Sequence, residues 1–255
     1  MLDLTNNIDL ILNYRSNDLN INEKFLKRSG GIGNKMKNVQ QKMLKNVNSE
    51  LVCGEDTDLV IEGYPRSSNS FTIQMIRFLE GNQRRLKIAH HTHSIDNLRL
   101  GVYFKKATAV LVRPPEDAIL SYMIYANQTV DFAAKRYENF FRGVLNLETR
   151  PAILKFETVI TDFNFIIGQI NKLLIVQGSN PIPLSKDLAA DTDRLNAKTR
   201  ERALKVHGSN SDMRIGLPSA TRNSIKEERR IEVQNYLLGN PEAERLYDAV
   251  LEFER

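Results

Sequence analysis

A chain of 255 residues, 41% hydrophobic and 26% charged, falls in the range of one large globular domain or two small ones and can bury a sizeable core. Its net charge of +5 suits an anionic ligand, nucleic acid or a membrane surface equally, so charge alone selects none of them. Cys53 is the only cysteine, which rules out an intrachain disulfide, and no uncharged apolar run reaches the roughly 18 to 20 residues of a membrane span, so a soluble, cytoplasmic protein is expected.

The N-terminus, Met1-Leu2-Asp3-Leu4, has no basic segment, and Asp9 interrupts the apolar stretch from Ile8 to Leu12, so no signal peptide is expected. Residues 1–57 read as a polar, Asn-rich extension, basic from Lys24 to Lys45 and broken at Gly30-Gly31 and Gly33. It is expected to be flexible or partly helical, or to offer a basic surface to an anionic acceptor. Cys53 reads as a small buried hydrophobe.

From residue 58 the pattern changes to short apolar runs separated by segments of helical periodicity. Leu59-Val60-Ile61, Leu86 to Ala89, Ala109 to Val112 and Ala152 to Lys155 read as strands covered on both faces. Phe71 to Leu79, Pro115 to Ala126, Asp131 to Leu147 and Asp162 to Val176 read as helices, the last stopping near Gly178. Strand-helix alternation of this kind predicts an α/β fold with a doubly wound parallel sheet. After Pro181 and Pro183 the chain turns helical, over Leu184 to Val206, Ile225 to Leu238 and Pro241 to Phe253. The expected organisation is one domain over 58–255, with a core at 58–178 and a helical C-terminal part at 179–255.

The segment from Leu59 through Gly63-Tyr64-Pro65-Arg66-Ser67-Ser68-Asn69-Ser70-Phe71 passes from a buried strand through a hydroxyl-rich turn into an amphipathic helix. Unpaired N–H groups and the positive dipole end at a helix start bind anions. Ser67, Ser68, Asn69 and Ser70 add side-chain donors, and Arg66 adds a planar cationic fork suited to phosphate or sulfate oxygens. A nucleotide-hydrolysing loop would read Gly-x-x-x-x-Gly-Lys-Ser/Thr, yet Ser68 and Asn69 stand five and six residues after Gly63. Such enzymes also close an apolar strand with a magnesium-binding Asp. Here the strand ends carry Arg113 and Lys155 instead. The turn therefore reads as a phosphate-binding loop that works without metal.

Val112-Arg113-Pro114-Pro115-Glu116-Asp117 repeats the pattern of strand, turn and helix, with Pro115 suited to the first helical turn and Glu116 and Asp117 to its positive end. Further on, Ala89-His90-His91-Thr92-His93-Ser94 holds three of the four histidines after the second strand. His91 and His93 alternate onto one face, but no further cysteine or nearby carboxylate completes a metal ligand set. A neutral imidazole there can instead accept a proton at neutral pH.

These segments resemble the motifs of the PAPS-dependent sulfotransferases. The family's 5′-phosphosulfate loop reads approximately Tyr-Pro-Lys/Arg-Ser-Gly-Thr/Asn-Thr-Trp, and Tyr64 to Phe71 is similar to it, with Ser68 for the glycine and Phe71 for the tryptophan. Its 3′-phosphate site reads Arg-x-Pro-x-Asp-x-x-x-Ser, and Arg113, Pro115, Asp117 and Ser121 stand at all four fixed places. The resemblance implies that Pro65 to Phe71 hold the 5′-phosphosulfate, that Arg113 and Ser121 hold the 3′-phosphate, and that Thr92-His93 supplies the general base, with His91 as the alternative. It further implies a P-loop-like turn and in-line transfer of a sulfuryl group from 3′-phosphoadenosine 5′-phosphosulfate (PAPS) to a hydroxyl or amine acceptor. In that reaction His93 takes the proton and Arg66 stabilises the departing phosphate. The family's Arg-Lys-Gly stretch over the nucleotide is similar to Met213-Arg214-Ile215-Gly216, which lacks the lysine, so Arg214 and Gly216 are candidates and Arg222 an alternative. The partners implied are PAPS or its product PAP and an unidentified hydroxyl-bearing acceptor such as a glycan, lipid or small alcohol, with no nucleic acid and no metal. A nucleotide kinase or NTPase, or a non-catalytic polyanion-binding module using the basic extension, are the alternative readings.

Overall fold

The computed structural model describes residues 32–81, 85–208 and 220–254. Four parallel strands form one sheet in the order β2-β1-β3-β4, where β1 is Leu59–Gly63, β2 is Ile88–His90, β3 is Ala107–Val112 and β4 is Ala152–Lys155. The fold class is therefore α/β, as the alternation predicts. Every residue of β1, β2 and β3 is buried. That is the signature of parallel strands covered on both faces, and it explains why their sequences run apolar without alternating.

Side chains of each strand divide between two cores. Val60, Ala89, Val110, Val112 and Ile153 face one, Leu59, Ile61, Ala109, Leu111 and Leu154 the other. On the first face lie helices α1 (Ile32–Leu44), α3 (Ile95–Tyr103), α4 (Pro115–Ala126), α5 (Val130–Leu145), α9 (Ala220–Gly239) and α10 (Glu242–Leu251). On the second lie α2 (Asn69–Glu80), α6 (Phe156–Thr161), α7 (Phe163–Val176) and α8 (Leu188–His207). Each fully buried aliphatic side chain contributes about 1.5–3 kcal/mol of transfer free energy, so this double layer is the main source of stability.

The structure changes several expected boundaries. Residues 32–57, assigned to a polar extension, hold α1 and a 3-10 turn at Ser49–Leu51, and they bury Met36, Val39, Met43 and Cys53 in the first core. The partly helical reading of this stretch holds, but the apolar positions of α1 are spaced by three and four residues among many lysines and asparagines, so composition masked its packing into the core. Strand β2 begins at Ile88, two residues later than expected. The amide of Leu86 is held instead by Oε1 of Glu80 at 2.7 Å, and the ladder pairs Ile88, Ala89 and His90 with Leu59, Val60 and Ile61. Asp162 does not open a helix as its first residue but caps α7, its side chain accepting from the Phe165 amide at 3.1 Å. The short α6 ahead of it was not anticipated.

The C-terminal helices α8, α9 and α10 lie over the core. Arg230 of α9 pairs with Glu116 and lies 3.5 Å from Asp117 on α4, while Glu242 of α10 pairs with Arg142 of α5 at 2.9 Å. Helix α8 packs on α2, where the Thr199 hydroxyl donates to the Gln74 side chain at 3.0 Å. Among the described residues no helix is long and apolar enough to cross a membrane.

Candidate active site

The sheet order sets the position of the site. From β1 the chain goes to β2 on one side and, by way of β2, to β3 on the other, so the connections leaving β1 and β3 diverge at their carboxyl ends. In open α/β sheets the crevice between such connections is where ligands bind. Residues 64–68 leave β1 there, and residues 113–114 leave β3 beside them.

Close approach of the two strands shapes the first loop. A Cβ on Gly63 would lie 2.8 Å from Cβ and 2.9 Å from the carbonyl oxygen of Leu111, so only glycine fits at the end of β1. Tyr64 anchors the turn from inside. Its hydroxyl donates to the Ala133 carbonyl of α5 at 3.0 Å, and its ring meets Tyr122 and Tyr137 edge-on at 5.5 and 5.1 Å. Each such aromatic pair adds about 0.5–1.5 kcal/mol beyond burial. Pro65 is buried, and Arg66 and Ser68 both adopt left-handed backbone, with φ of 72° and 69°. Ser68 occupies the place where the resembled motif carries glycine, and the structure asks of it the conformation for which glycine is suited.

Helix α2 starts from this turn without a side-chain cap, and α4 starts likewise after Pro114. By contrast, Ser94, Thr129, Asp162 and Asp187 cap α3, α5, α7 and α8. With no side-chain cap among the described residues, the first amides of α2 are suited to an external acceptor. Around them, Ser67 Oγ, Asn69 Oδ1 and Thr72 Oγ1 are buried with no hydrogen-bond partner among the described residues, although Asn69 Nδ2 donates to the Tyr64 carbonyl at 3.2 Å. Buried polar atoms normally find partners, so three orphans around one helix start mark a polar cradle. Ser70 is exposed beside them, and the Phe71 ring packs edge-on against Phe163 at 5.6 Å.

The second motif closes on the first. Arg113, 8% exposed, donates from Nη1 to the Arg66 carbonyl at 2.9 Å, and its guanidinium lies 4.1 Å from the centre of the Phe156 ring. Its own carbonyl accepts from the Tyr137 hydroxyl at 2.8 Å. Ser121, on α4, points its Oγ at Nε of Arg66, 3.4 Å away, while the Arg66 guanidinium sits 4.8 Å from the Tyr125 ring. Residues 47 and 55 apart in sequence therefore meet in one place. Asp117 does not join them. It faces Arg230 of α9 at 3.5 Å.

The third element is the connection from β2 to α3. His93 is half-buried with φ of 50°, and its Nδ1 lies 2.8 Å from the Gly63 carbonyl. A carbonyl only accepts, so Nδ1 carries the hydrogen and Nε2 carries the lone pair. His91 is engaged at both ring nitrogens, Nε2 with Ser70 Oγ at 3.0 Å and Nδ1 with Nδ1 of His90 at 2.6 Å. Burial holds His91 down to about 4 and His93 down to about 3, the latter helped by the positive charges of His91, Arg136 and Arg66 and opposed by the Gly63 carbonyl. Both rings are neutral at pH 7. His90 is held well below the usual range, chiefly by burial.

Two contributors were missed by the sequence reading. Glu62 is fully buried and accepts four hydrogen bonds from residues 92, 93 and 97. A lone carboxylate inside the apolar run Leu59 to Gly63 was the available signal, because a buried charge demands partners. Arg136 of α5, 5.4 Å from the Tyr122 ring, adds cationic charge beside the site, and nothing in its local sequence distinguishes it from a solvated helix arginine. Arg214 and Gly216 lie outside the described residues, as does the basic stretch before residue 32. Among the described residues no group of three or more His, Cys, Asp or Glu side chains is arranged to hold a metal ion.

No family model and no curated protein matches the chain. Among solved structures it is similar to mouse sulfotransferase SULT7A1 complexed with PAP, at 12% identity and a TM-score of 0.45, over 85% of this chain and 94% of that one.

Proposed function

We propose that this chain is a sulfotransferase that moves a sulfuryl group from PAPS to a hydroxyl or amine acceptor. The observation that carries the reading is the convergence of Arg66 Nε and Ser121 Oγ at 3.4 Å with Arg113 on the Arg66 carbonyl, at the carboxyl ends of β1 and β3. Two stretches that resemble the family's 5′- and 3′-phosphate motifs come together at a topological switch point, which is the arrangement one nucleotide with phosphates at both ends requires. The uncapped start of α2 and the unpartnered Ser67, Asn69 and Thr72 oxygens fit the phosphosulfate end. The Arg113 fork and the Ser121 hydroxyl fit the 3′-phosphate.

In the proposed step the acceptor oxygen attacks sulfur in line. The bond from sulfur to the bridging oxygen breaks, and PAP leaves with both electrons of that bond. His93 takes the acceptor's proton at Nε2, the nitrogen left as acceptor by the bond to Gly63. Arg66 and the first amides of α2 stabilise charge gathering on the departing phosphate. The strand ends that would hold a magnesium ligand in a kinase carry Arg113 and Lys155 instead of a carboxylate.

Incubation with sulfur-35-labelled PAPS and a panel of glycans, phenols, small alcohols and amines tests the reaction. Label transfer to at least one acceptor, lost in Arg66→Ala, is the expected result. Transfer of the γ-phosphate of ATP in the presence of magnesium, with none from PAPS, would overturn the reading.

A further inference from the structure

Glu62 stands in the middle of the site's framework with no role in the proposed chemistry. It is fully buried in β1, between Ile61 and Gly63. A carboxylate taken out of water needs its lone pairs engaged, and here only neutral groups engage them. Oε1 accepts from Thr92 Oγ1 at 2.7 Å, from the Thr92 amide at 3.0 Å and from Asn97 Nδ2 at 2.8 Å. Oε2 accepts from the His93 amide at 2.8 Å. Three of these four donors belong to the two residues of the turn that presents His93.

That turn is sterically unfavourable. His91 and His93 have φ of 58° and 50°, a left-handed backbone that residues other than glycine keep only when their surroundings hold it. Asn97 ties the same carboxylate to the preceding segment, its Nδ2 also donating to the Leu51 carbonyl at 3.0 Å and its Oδ1 accepting from the Cys53 amide at 2.8 Å. The last two residues of β1 thus hold His93 twice, Glu62 by its backbone and Gly63 by its ring.

We infer that Glu62 is a positioning residue which fixes the orientation and tautomer of His93: its carboxylate holds Thr92 and the left-handed His93 against the end of β1, so that Nδ1–H reaches the Gly63 carbonyl and Nε2 is left as acceptor. The inference rests on the sulfotransferase reading only in naming His93 the base. The geometry it explains belongs to the fold. Burial pushes the Glu62 carboxyl up to about 7 while its hydrogen bonds pull it down, and the inference concerns the acceptor face that both oxygens present to the turn.

The test is Glu62→Gln in protein labelled with nitrogen-15 histidine, with the His93 signal assigned by His93→Gln. The glutamine oxygen takes the side facing three donors, so its amide nitrogen meets the His93 amide as donor against donor, and the turn must move. Wild type should show His93 as the Nδ1–H tautomer alone. Glu62→Gln should show a mixture with Nε2–H, while PAP affinity by calorimetry stays within about threefold. An unchanged tautomer in Glu62→Gln overturns the inference, and so does a loss of PAP affinity beyond that range, which would make Glu62 a support of the whole loop. If Glu62→Gln does not fold, Thr92→Val removes one donor to Oε1 without adding a polar group. It should give a partial shift of the same sign, and no shift again overturns the inference. Failure of wild type to bind PAP would sink the sulfotransferase reading and leave the tautomer result to judge Glu62 by itself.

Discussion

The carbonyl of Gly63 accepts from Nδ1 of His93 at 2.8 Å, so the last residue of the first strand decides which ring nitrogen of the histidine can take a proton. His91 has no comparable freedom, because Ser70 and His90 occupy both of its nitrogens.

This difference separates the two histidines in an assay. His93→Gln should lower turnover, by no more than the low end of the roughly 10²- to 10⁴-fold usual for a general base because burial holds its pKa to about 3, and leave PAP affinity intact. His91→Gln should cost less turnover and weaken PAP binding through Ser70. Steady-state kinetics beside calorimetry checks both, and the reverse pattern would make His91 the base.

The proposed nucleotide contacts predict graded losses. Hydrogen bonds to charged groups contribute about 1.5–3 kcal/mol, so Arg113→Ala should weaken PAP binding by roughly 10- to 150-fold and Ser121→Ala by somewhat less. Arg113→Lys should not restore it, since a lysine has neither the planar fork nor the stacking on Phe156. Calorimetry at fixed salt measures all three. An Arg113→Lys variant with wild-type affinity would show that only charge matters there.

Ser68→Gly should stabilise the protein. A left-handed conformation costs a non-glycine residue about 1–2 kcal/mol, while glycine loses about 0.5–1 kcal/mol more backbone entropy on folding. With φ of 69° at Ser68, the balance favours glycine by up to about 1.5 kcal/mol, or up to about 3–6 °C in Tm for a chain of this size. Thermal unfolding of both proteins checks it, and a lower Tm for the variant would argue against the left-handed turn.

Acid should destabilise the fold through the histidines. His91 and His93 are held to about 4 and about 3 and His90 well below its usual range, by burial first, whereas in the unfolded chain they take protons near 6.5. Between about 6.5 and 4 the unfolded state binds more protons, so stability falls as pH falls through that window. Glu62 acts oppositely. With its carboxyl pushed up to about 7, its contribution falls as pH rises from about 4.5 to 7. Three histidines outweigh one carboxyl, so Tm should drop between about pH 7 and pH 5, and drop less in a His91→Gln, His93→Gln double variant. A Tm that rises on acidification would contradict the buried, neutral state of these rings.

Much of this was legible from residues because each chemical element sits where an apolar run stops. Unbroken runs such as Val110-Leu111-Val112 announced strands buried on both faces, and Arg113 at the end of one announced a cation at the sheet's carboxyl edge. The left-handed turn at Ser68 was foreseeable from the missing glycine. What escaped depended on partners far along the chain. Glu62 gains meaning only from Thr92, His93 and Asn97, thirty or more residues later. Asp117 fits a motif by spacing, yet in space it meets Arg230. A partly helical stretch was expected here, but the docking of helix α1 into the core was hidden by its lysines and asparagines, since three buried residues are enough to dock a helix while composition counts all thirteen.

The measurement that bears most directly on the central claim is calorimetric titration with PAP, of wild type and of the Arg113→Ala, Ser121→Ala double variant, with ATP-Mg as control. One tight site in wild type, lost in the double variant and not reproduced by ATP-Mg, is the predicted result. Absence of binding, or preference for ATP-Mg, would contradict the assignment of the crevice beyond β1 and β3 to this nucleotide.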